Sequence, residues 1–385
     1  MPSRRQYLDL KSEHPDAILL YRLGDFYETF DDDAKVVARD ARITLTSRNF
    51  GRNGRVPMAG IPHHALNHYL GRLLGSGLTV AIAEQVSEPG RGLVDRAITR
   101  VLTPGTIAEP ALLPSGENRY LAAVAARNER LGLAWVDVST GEFAAMELAG
   151  EGARRQLAEE LARLSPAESL VPDDIGEALP VAGHRTRLER WHFEPSRARD
   201  TLCSRFGVRS LAAFGCDELP AATGAAGAIL AYLERTNPRL LPLLTGLRTE
   251  APGRHVSLDA ATRRNLELTR SVKTGGIRGS LLGVLDQTRT AMGTRALRRL
   301  LGRPLRDLVE IRQRQAIIAG LIAAPLPRAS LAIALATVGD LERLVGRVTQ
   351  GTATPRDVLT LGAALRTMPE RGRGHGHATG SFACN

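Results

Sequence analysis

The sequence predicts an α/β multidomain chain: a mixed-sheet N-terminal domain, a second α/β domain, and then an all-α segment. Period-2 apolar segments alternate with helical segments over the first hundred residues. Three further apolar runs joined by turn residues lie within 120–148. From Leu258 onward strand signals disappear, and helical periodicity is broken by Gly and Pro. The length of 385 residues fits two or three domains of roughly 150 residues each.

The elements of the N-terminal domain follow from apolar periodicity and capping residues. Asp31, Asp32 and Asp33 are typical of a helix N-cap and first turn, where carboxylates face the positive end of the helix dipole. Asn49 begins a polar turn that extends to Gly54. The predicted elements are a helix over 6–13, a strand over 17–30, a helix over 31–42, a strand over 43–47, a helix over 65–74 and a strand over 79–86.

Two proline-bearing stretches, 103–114 and 238–252, are predicted to be linkers. Between them Ser139 to Glu142 supplies the turn chemistry of a hairpin. The elements predicted there are strands near 120–126, 131–138 and 143–148 and helices over 152–164 and 221–235. Farther on, helices are predicted over 258–274, 291–302, 307–323, 329–348 and 355–368. The tail from Arg371 is low in complexity and is not expected to form a core.

The charge distribution favours a polyanionic partner. Residues 251–385 hold 21 Lys+Arg and 9 Asp+Glu, an excess of +12, whereas the whole chain carries +10. Such an excess is typical of proteins that bind nucleic acid. Arginine supplies 48 of the 51 basic residues, a ratio that coding bias also explains. Charge alone therefore leaves both explanations open.

Several classes of function are excluded by simple patterns. None of the three lysines, Lys11, Lys35 and Lys273, follows a glycine, so the sequence has no Walker A phosphate-binding loop. No apolar run approaches the roughly 20 residues that span a bilayer, and the N-terminus lacks a signal-peptide pattern, which predicts a soluble cytoplasmic protein. His63 and His64 are adjacent and point apart in regular structure, and three scattered cysteines form no cluster, so no metal site is predicted.

The densest aromatic cluster lies within 21–30, in a chain that is only 4% aromatic. Strand alternation puts Phe26 and Glu28 on one face of this predicted strand and Tyr27 on the other. Gly24 lacks a side chain and is interpreted as a point where another backbone approaches closely. On the residues alone, Phe26 is most simply a core residue.

An ordered series of motifs runs through the chain up to about Glu370. They are GDFYE at 24–28, MAGIPHHA at 58–65, AEQ at 83–85, RVLTPGT at 100–106, LDAATRRNLE at 258–267, MGTR at 292–295 and GDLER at 339–343. Each motif is modest alone, but their order makes the set highly specific. In these motifs the sequence resembles the DNA mismatch repair protein MutS family.

The resemblance implies a mismatch-binding site. Phe26 and Glu28 match the family's Phe-x-Glu motif, in which the ring wedges into the minor groove against a mispaired base and the glutamate hydrogen-bonds that base. A structural ion pair with an arginine is the alternative role for Glu28. Tyr27 is expected to pack inward and 58–65 to support the wedge. The candidates for further DNA contacts are Met58, Arg48, Arg52 and Arg55, and solvated side chains are the alternative for the arginines.

The resemblance also implies the domain organisation. It comprises a mismatch-recognition domain over 1–105, a linker over 106–117, an RNase H-like connector over 118–250, a partial helical lever over 255–370 and a low-complexity tail over 371–385. No nuclease is expected in the connector, because Asp137, Asp173 and Asp174 lack convincing partners for a metal site. The implied partners are double-stranded DNA with mismatches or small loops and a MutL-type protein that contacts the connector.

In the intact family, ATP and Mg²⁺ serve an ATPase domain, and the protein forms a homodimer. This sequence matches neither the ATPase domain nor the DNA clamp, the return half of the lever or the dimer-forming elements, so the chain is expected to be no enzyme and to hold no cofactor. The tail after about Glu370 is expected to match nothing in the family, which indicates a frameshift or a truncated gene model. The alternatives to mismatch binding are a basic fragment that binds duplex DNA without selectivity and a non-functional truncated product.

Overall fold

The computed structural model describes residues 2–51, 54–87, 94–174 and 180–367. The chain forms two compact units, of which unit 1 comprises Met1–Pro114 and Asn118–Pro252, and unit 2 comprises Ser115–Glu117 and Gly253–Asn385. Unit 1 holds two mixed sheets with helices, and unit 2 is helical. The predicted succession of α/β segments and an all-α segment is therefore confirmed, whereas the domain boundaries within unit 1 stay a prediction.

The first sheet of unit 1 has the strand order β3-β4-β2-β1-β5-β6. Its elements are α1 (Pro2–Glu13), β1 (Ile18–Leu23), β2 (Phe26–Phe30), α2 (Asp31–Asp40), β3 (Thr46–Asn49), β4 (Arg55–Pro62), α3 (Leu66–Gly75), β5 (Val80–Gln85) and β6 (Arg96–Leu102). β1 and β5 are parallel and the other neighbours antiparallel, which confirms the mixed sheet. α2 and α3 contribute to the core on one face, and α1 contributes to the core on the other.

The single strand predicted over 17–30 is wrong, because the chain reverses between Leu23 and Phe26 to form a hairpin. Gly24 adopts a φ of +58°, a left-handed conformation that glycine tolerates, and no atom lies within 4 Å of where its Cβ would be. Its role is thus the turn itself and not a close approach of another backbone. The strand predicted over 43–47 begins later, at Thr46, and pairs with β4.

The three acids lie in the first turn of α2, as predicted, but none of them is the N-cap residue. Phe30 occupies the N-cap position and makes no side-chain capping bond. Asp31 pairs with Arg4, Asp32 with Lys35 and Asp33 with Lys11. Basic side chains in reach of these carboxylates compete with the backbone amides of the helix. Asp31 and Asp33 therefore connect α2 to α1 through ion pairs, and Asp32 forms its ion pair within α2.

The second sheet of unit 1 has the strand order β11-β10-β7-β8-β9-β12. Its elements are β7 (Leu121–Arg127), β8 (Arg130–Asp137), β9 (Glu142–Ala149), α4 (Ala153–Leu164), β10 (Glu168–Pro172), β11 (His184–Leu188), α5 (Pro195–Phe206), α6 (Pro220–Thr236) and β12 (Arg248–Thr249). The strands predicted near 120–148 and the two predicted helices are confirmed. The stretch 103–114 is packed, since Ile107 and Leu113 belong to the core of the first sheet.

Gly132 on β8 allows α6 to approach the sheet, and Gly132→Ala is expected to lower the free energy of unfolding by about 2 kcal/mol through overpacking. A Cβ at position 132 would lie 2.0 Å from the carbonyl oxygen of Ala221, a backbone atom that cannot rotate away. Urea unfolding monitored by circular dichroism measures the change. The matched control is Gly75→Ala on α3, where no atom lies within 4 Å of the new methyl group, and equal stabilities of the two variants would contradict the packing argument.

Unit 2 is built from α7 (Ala260–Asn265), α8 (Leu281–Leu285), α9 (Ala291–Gly302), α10 (Leu308–Ala323), α11 (Pro325–Thr337), α12 (Leu341–Thr349) and α13 (Pro355–Thr367). The helix predicted over 258–274 ends early, because Glu267 adopts a φ of +45° and its carboxylate accepts hydrogen bonds from Ser271 and Val272. The helix predicted over 329–348 is interrupted, and Asp340 caps the start of α12.

The α-helices of the described residues are 5 to 17 residues long. No single one of these helices is long and apolar enough to cross a bilayer. The helical stretches Leu308–Ala323 and Pro325–Thr349 meet the length and composition of a span only as a pair that is bent by 99°.

Candidate nucleic-acid interface

Phe26 and Glu28 lie on β2, on the same face of the first sheet. Phe26 opposes Leu23 and Glu28 opposes Tyr21 in the β1–β2 hairpin. Phe26 is 47% exposed, whereas Tyr27, on the opposite face, is buried. The simplest interpretation of Phe26 as a core residue is therefore wrong, and the predicted inward packing of Tyr27 is confirmed.

Segment 58–65 lies beside Phe26 in the sheet, and its support of a wedge stays a prediction. In the antiparallel pairing of β2 with β4, Glu28 opposes Gly60 and Phe26 opposes Pro62. A Cβ at position 60 would lie 3.6 Å from Cδ1 of Phe26, so the ring lies against a position with no side chain. The amide of His63 donates to the carbonyl of Asp25 at 2.8 Å and so ties the turn before Phe26 to the end of β4.

Tyr27 anchors β2 from the face opposite to Phe26. Its hydroxyl donates a hydrogen bond to Glu84 on β5, and its ring stacks on His63 with centroids 5.7 Å apart. The guanidinium of Arg22 lies 5.4 Å from the ring centroid. Burial, together with the adjacent Glu84 carboxylate, raises the pKa of Tyr27 to about 12, so the hydroxyl stays a donor across the physiological pH range. The strand that presents Phe26 and Glu28 is thus anchored to β5, to Arg22 on β1 and to His63, which follows β4.

Glu28 forms an ion pair with Arg48 across β4. Nη1 of Arg48 lies 2.5 Å from Oε2 of Glu28, and the side chains are 44% and 16% exposed respectively. The Arg48 guanidinium also lies 5.7 Å from the ring centroid of Phe50, a buried residue. The pairing with an arginine that the sequence left open for Glu28 is present. No sequence pattern predicts Phe50 as a neighbour of this pair.

The other candidates are distributed over both faces of the sheet. Met58 lies on β4 opposite Phe30 and Thr46, on the face that carries Phe26, and is half-buried. Arg55 opposes Asn49 at the start of β4, where alternation places it on the opposite face. The structure therefore brings Arg48 and Met58 to the side of Phe26 but not Arg55. Arg52 lies outside the described residues.

The comparisons with known proteins match three successive segments of the chain to the same family. Family models for MutS domain I, MutS domain II and MutS domain III match residues 1–111, 119–245 and 261–381. The chain belongs to the DNA mismatch repair protein MutS family. It is similar to the DNA mismatch repair protein MutS of three organisms: Symbiobacterium thermophilum, 47% identical over 378 residues (96% of this chain, 43% of that protein); Dehalococcoides mccartyi, 44% over 371 residues (95% and 43%); and Myxococcus xanthus, 44% over 379 residues (96% and 42%).

These matches show how much of the length of the MutS relatives the chain covers and how far along the chain the family match extends. The chain spans less than half the length of these MutS relatives, since it covers 42–43% of each. The match to MutS domain III continues to residue 381. The expectation that the tail from Arg371 matches nothing in the MutS family is therefore wrong for most of that tail, because low complexity alone does not decide membership of a family. Residues from 368 onward lie outside the described residues.

Two of the three acids considered for a nuclease in the segment that matches MutS domain II, Asp137 and Asp174, have other partners. Asp137, at the end of β8, is buried and accepts hydrogen bonds from the side chain of Asn118 at 2.8 Å and from the hydroxyl of Ser139 at 2.7 Å. Asp174 pairs with Arg190. Within the described ranges, no group of three or more His, Cys, Asp or Glu side chains is arranged to hold a metal ion.

Proposed function

We propose that this chain binds mismatched or looped double-stranded DNA through Phe26 and Glu28 and so serves the recognition step of mismatch repair. The observation that carries the proposal is a half-exposed phenylalanine on an anchored hairpin, beside a carboxylate, in the segment that matches MutS domain I. A large, half-exposed apolar side chain that lies over Gly60, on a strand anchored by a buried tyrosine, has the geometry of a wedge.

The physics of a wedge explains how one site can detect many mismatches. Insertion of an apolar side chain between base steps costs a few kcal/mol of unstacking, and a mispaired step is already weakly stacked. Recognition then depends on how easily the duplex deforms and not on which bases it contains. The carboxylate of Glu28 adds a hydrogen-bond acceptor for the displaced base, and Arg48 and Met58 lie on the same face for contacts to the backbone and groove.

The remaining assignments follow the family. We propose that the second sheet of unit 1 is an RNase H-like connector that contacts a MutL-type partner, which the antiparallel β7-β8-β9 set with the parallel strands β10 and β11 supports. We further propose that unit 2 is part of the helical lever. ATP, Mg²⁺ and homodimer formation belong to the intact protein in this proposal, and the cytoplasm is the expected location.

The test is competition binding of the full chain to a duplex with one G·T pair and to the matched duplex. Phe26→Ala is expected to lower the affinity for the G·T duplex about tenfold, because stacking on one base contributes about 1–3 kcal/mol, and to leave the affinity for the matched duplex nearly unchanged. The matched control is Leu8→Ala, which truncates an equally exposed apolar side chain on α1. A preference for the G·T duplex that survives Phe26→Ala would overturn the proposal.

The excess of positive charge in residues 251–385 favours a second candidate, duplex binding without selectivity. It predicts equal affinities for the two duplexes, no effect of Phe26→Ala and a steep decrease in affinity with salt. The same titrations therefore separate the two candidate functions.

A further inference from the structure

The ion pair between Arg48 and Glu28 lies on the face of the sheet that carries Phe26. Glu28 is the less exposed partner, and its carboxylate reaches across β4 to a guanidinium on the edge strand β3. Arg48 is the more exposed partner and is held near the pair by the ring of Phe50. In the free protein each of these two groups therefore neutralises the other.

Contact with DNA changes the partners that are available to both groups. A phosphate is a strong acceptor for a guanidinium, with two oxygens that match its planar donors. A carboxylate near phosphates is repelled unless a donor satisfies it. An exposed ion pair contributes little to stability, so a phosphate at this edge of the sheet can compete for Arg48.

We propose that Arg48 is a specificity-determining residue that exchanges partners on binding: a backbone phosphate takes its guanidinium from Glu28, and the released carboxylate then needs a donor from a displaced base. The inference rests on the proposed function. A mismatched duplex supplies both new partners, because the wedge displaces a base towards Glu28. A matched duplex supplies the phosphate only and leaves the carboxylate beside the backbone without a donor. The exchange therefore weakens binding to matched DNA more than binding to mismatched DNA.

A double-mutant cycle on affinity for the matched duplex tests the exchange. Glu28→Gln frees Arg48 in the unbound protein and also removes the repulsion between the carboxylate and phosphates. In the Arg48→Gln background only the second effect remains. We expect the gain in affinity from Glu28→Gln to be about fivefold larger when Arg48 is present, which is the equilibrium factor of an ion pair worth about 1 kcal/mol.

The salt dependence of binding gives an independent readout. If Arg48 contacts a phosphate in the complex, Arg48→Gln reduces the slope of log affinity against log salt by about one. The matched control is the ion pair between Arg39 and Asp40, in which Nε of the arginine lies 2.7 Å from a carboxylate oxygen. This pair is on α2, which packs against the opposite face of the sheet. Arg39→Gln and Asp40→Asn are expected to show no coupling in DNA affinity and no change in slope.

The outcomes separate this inference from the proposed function on which it rests. Coupling of about fivefold with a reduced slope supports the exchange. Additive effects of Glu28→Gln and Arg48→Gln, with a G·T preference that still depends on Phe26, overturn the exchange and leave the proposed function intact. A preference that is absent, or that does not depend on Phe26, overturns both.

Discussion

Glu168→Ala is expected to destabilise unit 1 by about 4 kcal/mol, because one buried carboxylate satisfies four donors from separate parts of the chain. Oε2 accepts from the hydroxyl of Thr103 at 2.5 Å and from the amide of Gly105 at 2.9 Å. Oε1 accepts from the hydroxyls of Thr186 and Tyr232, both at 2.7 Å. Glu168 and Thr103 are fully buried, so water cannot readily replace the lost acceptor.

The position of this carboxylate explains why its loss should destabilise both sheets of unit 1. Thr103 and Gly105 follow directly on β6 of the first sheet, whereas Glu168 begins β10 of the second sheet. Tyr232 lies on α6, and burial first, then the nearby Glu168 charge, raises the pKa of its hydroxyl well above the usual value. The hydroxyl of Tyr232 therefore remains a donor to the carboxylate at all physiological pH values.

Two further variants make the measurement specific. Glu168→Gln keeps the shape of the side chain and one carbonyl oxygen, and the hydroxyls of Thr186 and Tyr232 can rotate to accept hydrogen bonds from the new amide. We therefore expect Glu168→Gln to lower the free energy of unfolding by about half as much as Glu168→Ala. Glu151→Ala removes an exposed glutamate from the turn before α4 and is expected to change the unfolding free energy by less than about 0.5 kcal/mol. Urea unfolding of the three variants checks the series, and a Glu168→Ala chain as stable as the Glu151→Ala chain would refute it.

The fold was predictable from sequence wherever turn residues bounded an apolar run. The runs within 131–138 and 143–148 are largely apolar and flank the turn residues 139–142, and they became β8 and β9, which are buried along most of their length. The run 17–30 carries apolar and aromatic residues on both sides of Gly24, so periodicity could not locate the reversal there, which depends on a left-handed backbone conformation. The break after Asn265 depends on the hydrogen bonds of the Glu267 carboxylate, which become visible only in three dimensions.

The candidate site was predictable in its residues but not in its geometry. The Phe-x-Glu motif located Phe26 and Glu28, and alternation placed Tyr27 inward. The pairing of Glu28 with Arg48, 20 positions away, depends on β3 and β2 both flanking β4, a strand order that composition does not reveal. Alternation along β4 places Arg55 on the face opposite to Phe26, although Arg55 is close to Arg48 in sequence.

Arg295→Met is expected to destabilise unit 2 by about 3 kcal/mol at neutral pH, because it removes a buried cation that two carboxylates share. The Arg295 side chain is 1% exposed and donates to Asp340 at 2.7 and 2.8 Å, to Glu342 at 2.6 Å and to the carbonyl of Ser115 at 2.8 Å. Hydrogen exchange of the amides in α9 and α12 measures the loss locally. The matched control is Arg312→Met on α10, an exposed arginine of the same unit, for which we expect less than about 0.5 kcal/mol.

The pKa of Asp340 determines in which direction the destabilisation by Arg295→Met changes with pH. Burial raises the pKa of Asp340, but the hydrogen bonds and charge of Arg295 lower it more, so the pKa in the folded chain lies below the ordinary 3.8. A lowered folded pKa means that the stabilisation is complete above the unfolded pKa of about 4 and is lost as the pH falls through the folded value. The difference in stability between the wild-type and Arg295→Met chains should therefore be widest near neutral pH and narrow below about pH 4. A difference that stays equally wide in acid would mean that Arg295 acts through packing and not through the Asp340 carboxylate.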